Sequence, residues 1–148
     1  MTFEKISNGH NCDCLSRTSV PTPQDTFLRK LRKQDLADKD FETHWERGIG
    51  IEETKCEEIC NYKTLSINRT SDEIEDLIFE HYKTTFNLNP KKGGHCLKFK
   101  IKDGAGMVVH APIVNVDSHH NFFKSDLFDL SYIEQVSIIN SSFADKSG

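Results

Sequence analysis

A strict alternation of apolar and charged residues in the segment 97–102 constrains the fold of this chain more than any other feature. Every odd-numbered residue there is apolar and every even-numbered one is lysine, which is the period-two pattern of a strand with one face in the core. The glycine-rich run 103–106 follows, and glycine supplies the positive φ angles of a tight turn. A second apolar segment comes next, so the sequence predicts a hairpin over 96–111 that sets Lys98 opposite His110.

The rest of the chain predicts an α+β fold. Its 148 residues, 36% hydrophobic and 28% charged, are enough for one domain with its own core. We expect a loop or tail over 1–20, a single domain over 21–140 and a frayed terminus over 141–148. The predicted order is helix, helix, strand, helix and then several strands. This order favours a largely antiparallel sheet around the hairpin, with two or three helices packed on one face.

Local signals place the helices and further strands. Pro23 after Thr22 opens the first helix, because the N–H that proline lacks is unpaired at a helix start anyway. Thr70 and Glu73 match a capping box, which opens the clearest helix of the chain. The sequence also predicts a helix that ends at Arg47, a short acidic helix within 52–59, and strands over 63–68 and 132–139.

The composition predicts a cytoplasmic protein without a membrane segment. No apolar run approaches the length needed to span a bilayer, and the N-terminal residues lack the apolar core of a signal peptide. We therefore expect the five cysteines to be reduced. Alanine is scarce while Asn, Lys, Ile and Phe are common, which is typical of an AT-rich genome, such as a bacterial or phage genome.

Charge is distributed unevenly along the chain. The net charge of −4 argues against general nucleic-acid affinity. Acidic residues outnumber basic ones between Asp35 and Glu58, whereas only bases occur between Asn87 and Lys102. Such segregation is typical of two solvated faces, of two regions that meet in the fold, or of contact with an oppositely charged protein partner.

Two basic clusters offer candidate binding residues. Lys98, Lys100 and Lys102 form a ridge on the predicted solvent face, which suits an acidic protein or a nucleic-acid backbone. Lysines on an exposed strand also prevent edge-to-edge aggregation, and no aromatic residue shares this face to stack a base, so nucleic acid is not favoured. The second cluster lies in the first predicted helix, where cations complement the carboxyl end or contact phosphate. Its members are Arg29, Lys30, Arg32 and Lys33.

Four of the five cysteines form two closely spaced pairs. One residue separates Cys12 from Cys14, and three separate Cys56 from Cys60. On a helix the second pair would place both sulfurs on one side, so four thiolates could hold a structural zinc ion that joins the tail to the domain. Neither spacing is the common two-residue one. The alternative is that the second pair is buried as small apolar residues while the first lies in a loose tail.

A histidine cluster follows the predicted hairpin. His110 ends its second strand, and His119 and His120 come shortly after Asp117. With Lys98 opposite His110, one imidazole could act as a general base and another as an acid, while the ammonium group stabilises developing phosphate charge. The alternatives are a metal site built from His and Asp, or polar side chains at a sheet face and a turn.

The sequence favours a non-catalytic function. It contains no phosphate-binding glycine motif, no nucleophile elbow and no standard zinc-finger spacing. We therefore expect an accessory module that binds a protein partner, as a subunit of a larger bacterial or phage assembly. One alternative is a histidine-based hydrolase or transferase that acts on a phosphate-containing substrate through His110, His119, His120 and Lys98. The other is an interaction domain stapled by zinc.

Overall fold

The computed structural model describes residues 1–33, 35–49, 55–86 and 95–139. Within these ranges, three α-helices and a six-stranded antiparallel sheet form the predicted α+β fold. None of these helices has the length and apolar character to cross a bilayer. The helices are α1 (Glu4–Ser7), α2 (Cys56–Tyr62) and α3 (Glu75–Phe86), and short 3-10 turns cover Asp38–Phe41 and Leu130–Tyr132. The strands are β1 (Thr26–Leu31), β2 (Leu65–Thr70), β3 (His95–Ile101), β4 (Gly106–His110), β5 (His119–Lys124) and β6 (Ile133–Ile139).

The order of strands in the sheet is β4-β5-β2-β1-β3-β6. The predicted pairing of a hairpin over 96–111 is therefore wrong, because β3 pairs with β1 and β6 while β4 pairs with β5. Phe99, for example, lies between Phe27 on one side and Gln135 on the other. A period-two pattern determines which side chains of a strand face the core, but it does not determine which strand lies beside it.

The short connection between β3 and β4 requires the sheet to curl. Residues 102–105 join these strands, although β1, β2 and β5 lie between them in the sheet. In a flat sheet the two strands would be about 19 Å apart, which is close to the reach of a fully extended link of this length. The link instead contains a turn with Gly104 at φ +87°. The sheet therefore curves so that β4 approaches β3.

The inner face of the curled sheet holds the main core. Phe27, Ile67, Phe99 and Phe122 are at most 1% exposed and belong to one apolar cluster. The odd-numbered residues of 97–101 are all buried in it, so their predicted orientation is confirmed. Burial of each such large side chain contributes about 1.5–3 kcal/mol to folding.

Helix α3 covers the outer face of the sheet. Ile78 and Tyr82 are buried against Leu28 and Cys96. The Tyr82 hydroxyl donates a hydrogen bond to the Leu28 carbonyl oxygen at 3.0 Å and accepts one from Asn68 Nδ2 at 2.6 Å. Because its polar tip is satisfied in this way, Tyr82 can lie in an otherwise apolar layer.

The first two predicted helices are replaced by other structure. Residues 26–31 form β1, because pairing with strands on both sides outweighs the local helix signals. The segment predicted as a helix ending at Arg47 contains the 3-10 turn Asp38–Phe41 followed by further turns. The long helix is confirmed, but it begins at Glu75, since Thr70 of the predicted capping box is the last residue of β2.

The predicted strands over 63–68 and 132–139 are confirmed as β2 and β6, with boundaries shifted by up to two residues. The short acidic helix predicted within 52–59 falls partly outside the described residues, and its end belongs to α2. Residues 141–148, predicted to be frayed, lie outside the described residues.

Two disulfide bonds attach the N-terminal segment to α2. Cys12 is bonded to Cys56 and Cys14 to Cys60, while Cys96 is free and buried. The prediction of five reduced cysteines is therefore wrong in this structure. Each bond closes a loop with a sequence separation of 44 or 46 residues, for which the chain-entropy account gives about 4 kcal/mol of stabilisation. The second bond adds less, because the first already holds its two ends close together.

Candidate functional site

A cavity of about 650 Å³ lies where the carboxyl ends of β2 and β4 meet the start of β5 and the first turns of α3. This volume is within the range of small-molecule sites. Helix α3 and the residue before it contribute apolar side chains, and the strand ends contribute polar ones. The apolar residues are Ile74, just before the helix, and Leu77 and Ile78 within it. We call this the histidine cavity, after His110 and His120 in its lining.

Two of the three histidines predicted as catalytic meet in this cavity. His110 on β4 lies directly opposite His120 on β5 in the antiparallel register, and opposed residues project from the same face of a sheet. Their ring centroids are 5.0 Å apart. The Phe27 ring meets the His120 ring at 6.1 Å in an edge-on arrangement, so His120 also lies against the core.

Backbone carbonyl groups orient both imidazoles. His110 Nε2 lies 2.6 Å from the Asp117 carbonyl oxygen, and His120 Nδ1 lies 2.8 Å from that of Ser118. A carbonyl oxygen can only accept, so these two ring nitrogens carry protons, and in the neutral ring the other nitrogen has a lone pair. Each imidazole therefore has one nitrogen able to accept a proton.

The surroundings of the two rings differ. Burial lowers the pKa of His120 below its ordinary value of 6.5, and the charges of His110, Arg69 and His119 lower it further, against the effect of its backbone hydrogen bond. His120 is therefore neutral at pH 7, the state that a general base needs. The His110 side chain is 50% exposed, and its Nε2 lies 3.6 Å from the Asp117 carboxylate, which forms an ion pair with the ring when the ring is protonated.

His119, the third predicted histidine, faces the other side of β5. Adjacent residues of a strand project to opposite faces, and His119 Nδ1 donates a hydrogen bond to the Ala111 carbonyl oxygen at 2.8 Å. Burial lowers the pKa of His119, and the nearby charge of His81 lowers it further. Since His119 does not line the histidine cavity, it is not brought together with the other two.

Lys98 lies outside the histidine cavity. Because β3 does not pair with β4, Lys98 stands opposite Leu28 and Ser137 instead of His110. Its ammonium group is 3.0 Å from the Glu75 carboxylate at the start of α3. The predicted proximity of Lys98 to His110 is wrong, since it depended on a hairpin that does not form.

Arg69 provides the cation near the histidines that we expected Lys98 to supply. It lines the histidine cavity and forms an ion pair with Asp25 at 2.8 Å, with 59% of its side chain exposed. Its charge acts on His120. Sequence reasoning missed Arg69 because its proximity to His120 follows from the pairing of β2 with β5, which no local pattern reveals.

The predicted lysine ridge is not a uniform solvent-facing surface. The Lys98 side chain is only 21% exposed, and Lys100 Nζ donates a hydrogen bond to the Pro23 carbonyl oxygen at 3.0 Å. Lys102 is exposed. Binding of an acidic protein or a nucleic acid at these three residues stays a prediction.

The four predicted zinc ligands converge, but as two disulfide bonds. A disulfide sulfur is not the thiolate that zinc requires. A zinc site at Cys12, Cys14, Cys56 and Cys60 would therefore need the reduced protein. In the described part of the chain, no group of three or more His, Cys, Asp or Glu side chains is arranged to hold a metal ion.

The chemistry of the histidine cavity is the basis for a functional assignment. The chain matches no model of a known protein family, no curated protein and no solved structure. Two imidazoles that can each accept a proton, with a guanidinium group in the same cavity, are suited to general acid–base chemistry on an anionic substrate.

Proposed function

We propose that this protein is a histidine-based hydrolase or transferase that acts on a phosphate-containing substrate bound in the histidine cavity. The observation that carries the proposal is the 5.0 Å separation of the His110 and His120 rings in a cavity that Arg69 also lines. General acid–base catalysis needs a base and an acid within reach of one reacting group. Two adjacent imidazoles in a cavity of substrate size meet this requirement.

His120 acts as the general base. Its Nδ1 proton is held by the Ser118 carbonyl group, so the lone pair of the neutral ring is on Nε2. Nε2 removes the proton from water or from a substrate hydroxyl while the oxygen forms a bond to phosphorus. The burial that lowers the pKa of His120 keeps the ring neutral for this step.

His110 acts as the general acid. In its protonated form, Nε2–H stays bound to the Asp117 carbonyl oxygen and Nδ1–H is the second proton. Nδ1 donates this proton to the leaving oxygen as the bond from phosphorus to that oxygen breaks. The Asp117 carboxylate, 3.6 Å from Nε2, stabilises the charged ring before the transfer.

Arg69 stabilises the charge that develops on the non-bridging phosphoryl oxygens. A guanidinium group presents planar donors that match phosphate oxygens. Its ion pair with Asp25 at 2.8 Å positions the side chain at the rim, and most of the side chain is still exposed to a ligand. The apolar side chains of Leu77 on α3 and of Ile74 just before it would contact the uncharged part of the substrate.

The test is an activity assay on the full chain with its disulfide bonds intact. The probes are p-nitrophenyl phosphate, bis-p-nitrophenyl phosphate and an unstructured RNA, assayed between about pH 5 and 8, where imidazole titrates. We expect turnover of at least one probe. His110→Ala and His120→Ala should each reduce that turnover by about 10²–10⁴, and Arg69→Ala by about 10²–10³.

The matched control is His119→Ala, since His119 is adjacent in sequence and half-buried but lies outside the cavity. It should keep wild-type turnover. The proposal is overturned if the wild type turns over none of the three probes, or if His120→Ala retains full activity while folded.

The second candidate is the accessory module that binds a protein partner. It is supported by exposed large apolar side chains: Leu77, which lines the cavity, is 70% exposed, and Ile113 and Val114, which precede the lining residue Asn115 in the chain, are 47% and 88% exposed. Exposed apolar patches of this kind mark interaction sites. Leu77→Glu and Val114→Glu should then abolish binding of a partner purified from the native source. Leu127→Glu should not, because Leu127 is 78% exposed but neither it nor its neighbours in the chain line the cavity.

The predicted location in the cytoplasm implies reduced cysteines, and the predicted zinc site requires them. Disulfide bonds persist in oxidising compartments and are rare in the cytosol, so we propose that the protein works where its two bonds are kept. Mass spectrometry of alkylated protein from the native source would detect both bonds. Metal analysis after reduction tests the zinc-stapled alternative, which predicts one zinc ion per chain.

A further inference from the structure

A second cavity, of about 320 Å³, lies at the other end of β1, and its lining is almost entirely basic. Five of its side chains are cationic and one is a carboxylate. The chain as a whole carries a net charge of −4, so this clustering does not follow from composition. We call it the cationic pocket, and its lining residues are Arg29, Lys30, Leu31, Arg32, Lys39, Asp40 and Arg47.

The single carboxylate of the pocket is already engaged by backbone groups. Asp40 Oδ2 accepts a hydrogen bond from the Ala37 N–H at 2.8 Å, and Oδ1 accepts one from the Arg32 N–H at 3.4 Å. Asp40 therefore offsets only part of the positive charge. Among the described residues, no ion pair is formed by the side chains of Arg29, Arg32, Lys39 and Arg47.

Arg29 forms a fixed floor of the pocket. Its Nε donates to the Asp40 carbonyl oxygen and one terminal nitrogen donates to the Ser66 carbonyl oxygen, both at 2.6 Å. Its guanidinium carbon lies 5.6 Å from the centre of the Phe41 ring. The positive charge of the floor is thus held in place before any ligand binds, whereas Lys39 and Arg47 are exposed and free to close on a ligand.

The cations of the pocket repel one another. Burial lowers the pKa of Lys30, and the like charges of Arg29, Arg32 and Arg47 lower it further. A bound anion would relieve this repulsion, so the arrangement favours a ligand with several negative charges.

The chemistry of the lining selects phosphate groups. Guanidinium groups bind phosphate oxygens through two parallel hydrogen bonds, and three arginines surround this cavity. The lining has no aromatic side chain on which a base could stack. We propose that the cationic pocket binds the diphosphate or triphosphate group of a small molecule, a function separate from the chemistry of the histidine cavity.

The test is isothermal titration of the full, disulfide-bonded chain with pyrophosphate, tripolyphosphate and inorganic phosphate at low and high salt. We expect tripolyphosphate to bind more tightly than inorganic phosphate, and added salt to weaken the binding. Lys39→Gln and Arg47→Gln should each weaken tripolyphosphate binding by about tenfold, because each removes a charge that faces the anion. Both residues are exposed, so these variants should fold.

Two matched controls lie outside the pocket. Lys33→Gln removes a neighbouring exposed lysine, and Arg17→Gln removes an exposed arginine elsewhere. Both should leave the affinity within about twofold of wild type, the scale expected for distant surface charges. The proposal is overturned if tripolyphosphate does not bind, or if the controls weaken binding as much as the pocket variants. Binding of single-stranded RNA through Lys39 and Arg47 without binding of tripolyphosphate would also overturn it. None of these outcomes depends on turnover at His110 and His120.

Discussion

The histidine cavity and the cationic pocket lie at opposite ends of β1 and use charge in different ways. In the histidine cavity, backbone carbonyl groups orient His110 and His120, and burial keeps His120 neutral. In the cationic pocket, five basic side chains surround one carboxylate that already accepts hydrogen bonds from backbone N–H groups. The first arrangement contains imidazoles that can transfer protons, whereas the second contains no histidine and is suited to attracting an anion.

Arg29 of the cationic pocket and Arg69 of the histidine cavity have different roles. Arg29 donates two hydrogen bonds to carbonyl oxygens and stacks over Phe41, so it supports the fold as well as the pocket. Arg69 is 59% exposed and pairs with Asp25, so it is available to a ligand.

The largest expected effect is on turnover. Each of the substitutions His110→Ala and His120→Ala removes one member of the acid–base pair. The activity of the double variant should therefore be reduced by about 10²–10⁴-fold, which is no more than the reduction in either single variant. Single-turnover kinetics on the best probe substrate would measure this. Additive losses in the double variant would contradict a coupled acid–base pair. His119→Ala, which changes a residue outside the histidine cavity, serves as the control and should leave turnover unchanged.

The second prediction compares the two arginines in folding. Arg29→Ala should lower the free energy of unfolding by about 3 kcal/mol, because two hydrogen bonds from a charged donor are lost. Arg69→Ala should lower it by less than about 1 kcal/mol, as expected for an exposed ion pair. Urea unfolding followed by circular dichroism gives both values. If both variants lost the same free energy of unfolding, Arg29 would not be more important for folding than Arg69.

The third prediction concerns pH. The folded-state pKa of His120 is lower than its ordinary value of 6.5, so below pH 6.5 the unfolded chain binds more protons than the folded one. Stability is therefore present above that pH and falls as the pH drops toward the folded-state pKa, with a slope of up to about 1.4 kcal/mol per pH unit for one proton. Folded His120→Gln should show a shallower slope. His119 adds a similar dependence, so the slope should decrease without vanishing. An unchanged slope would contradict the burial of His120.

The smallest expected effect is on charge repulsion in the cationic pocket. Without a ligand, Arg47→Gln should raise the free energy of unfolding by a few tenths of a kcal/mol at low salt, because one of several like charges is removed. High salt should abolish the difference. Arg17→Gln should change nothing under either condition. Destabilisation by Arg47→Gln would mean that Arg47 stabilises the fold and does not contribute to repulsion.

Sequence patterns predicted which segments form strands and which side chains face the core better than they predicted which strands pair with each other. The alternation in 97–101 correctly assigned Leu97, Phe99 and Ile101 to the core, since the side-chain period of a strand is local. The same pattern could not show that β3 pairs with β1 and β6, because many strands can match one apolar face. The predicted site was likewise correct in two of its residues but wrong in the strand pairing that brings them together. His110 and His120 meet, but through the pairing of β4 with β5 and without Lys98.

Four features could be predicted from the sequence: the α+β class, the long helix, the last strand and two of the residues in the histidine cavity. These follow from periodicity and residue chemistry, which act over a few residues. The tertiary structure alone decided the strand order, the replacement of a predicted helix by β1, the disulfide pairing, and the positions of Arg69 and the cationic pocket. Each of these depends on which distant segments bury surface against one another, and that free energy is a property of the whole fold.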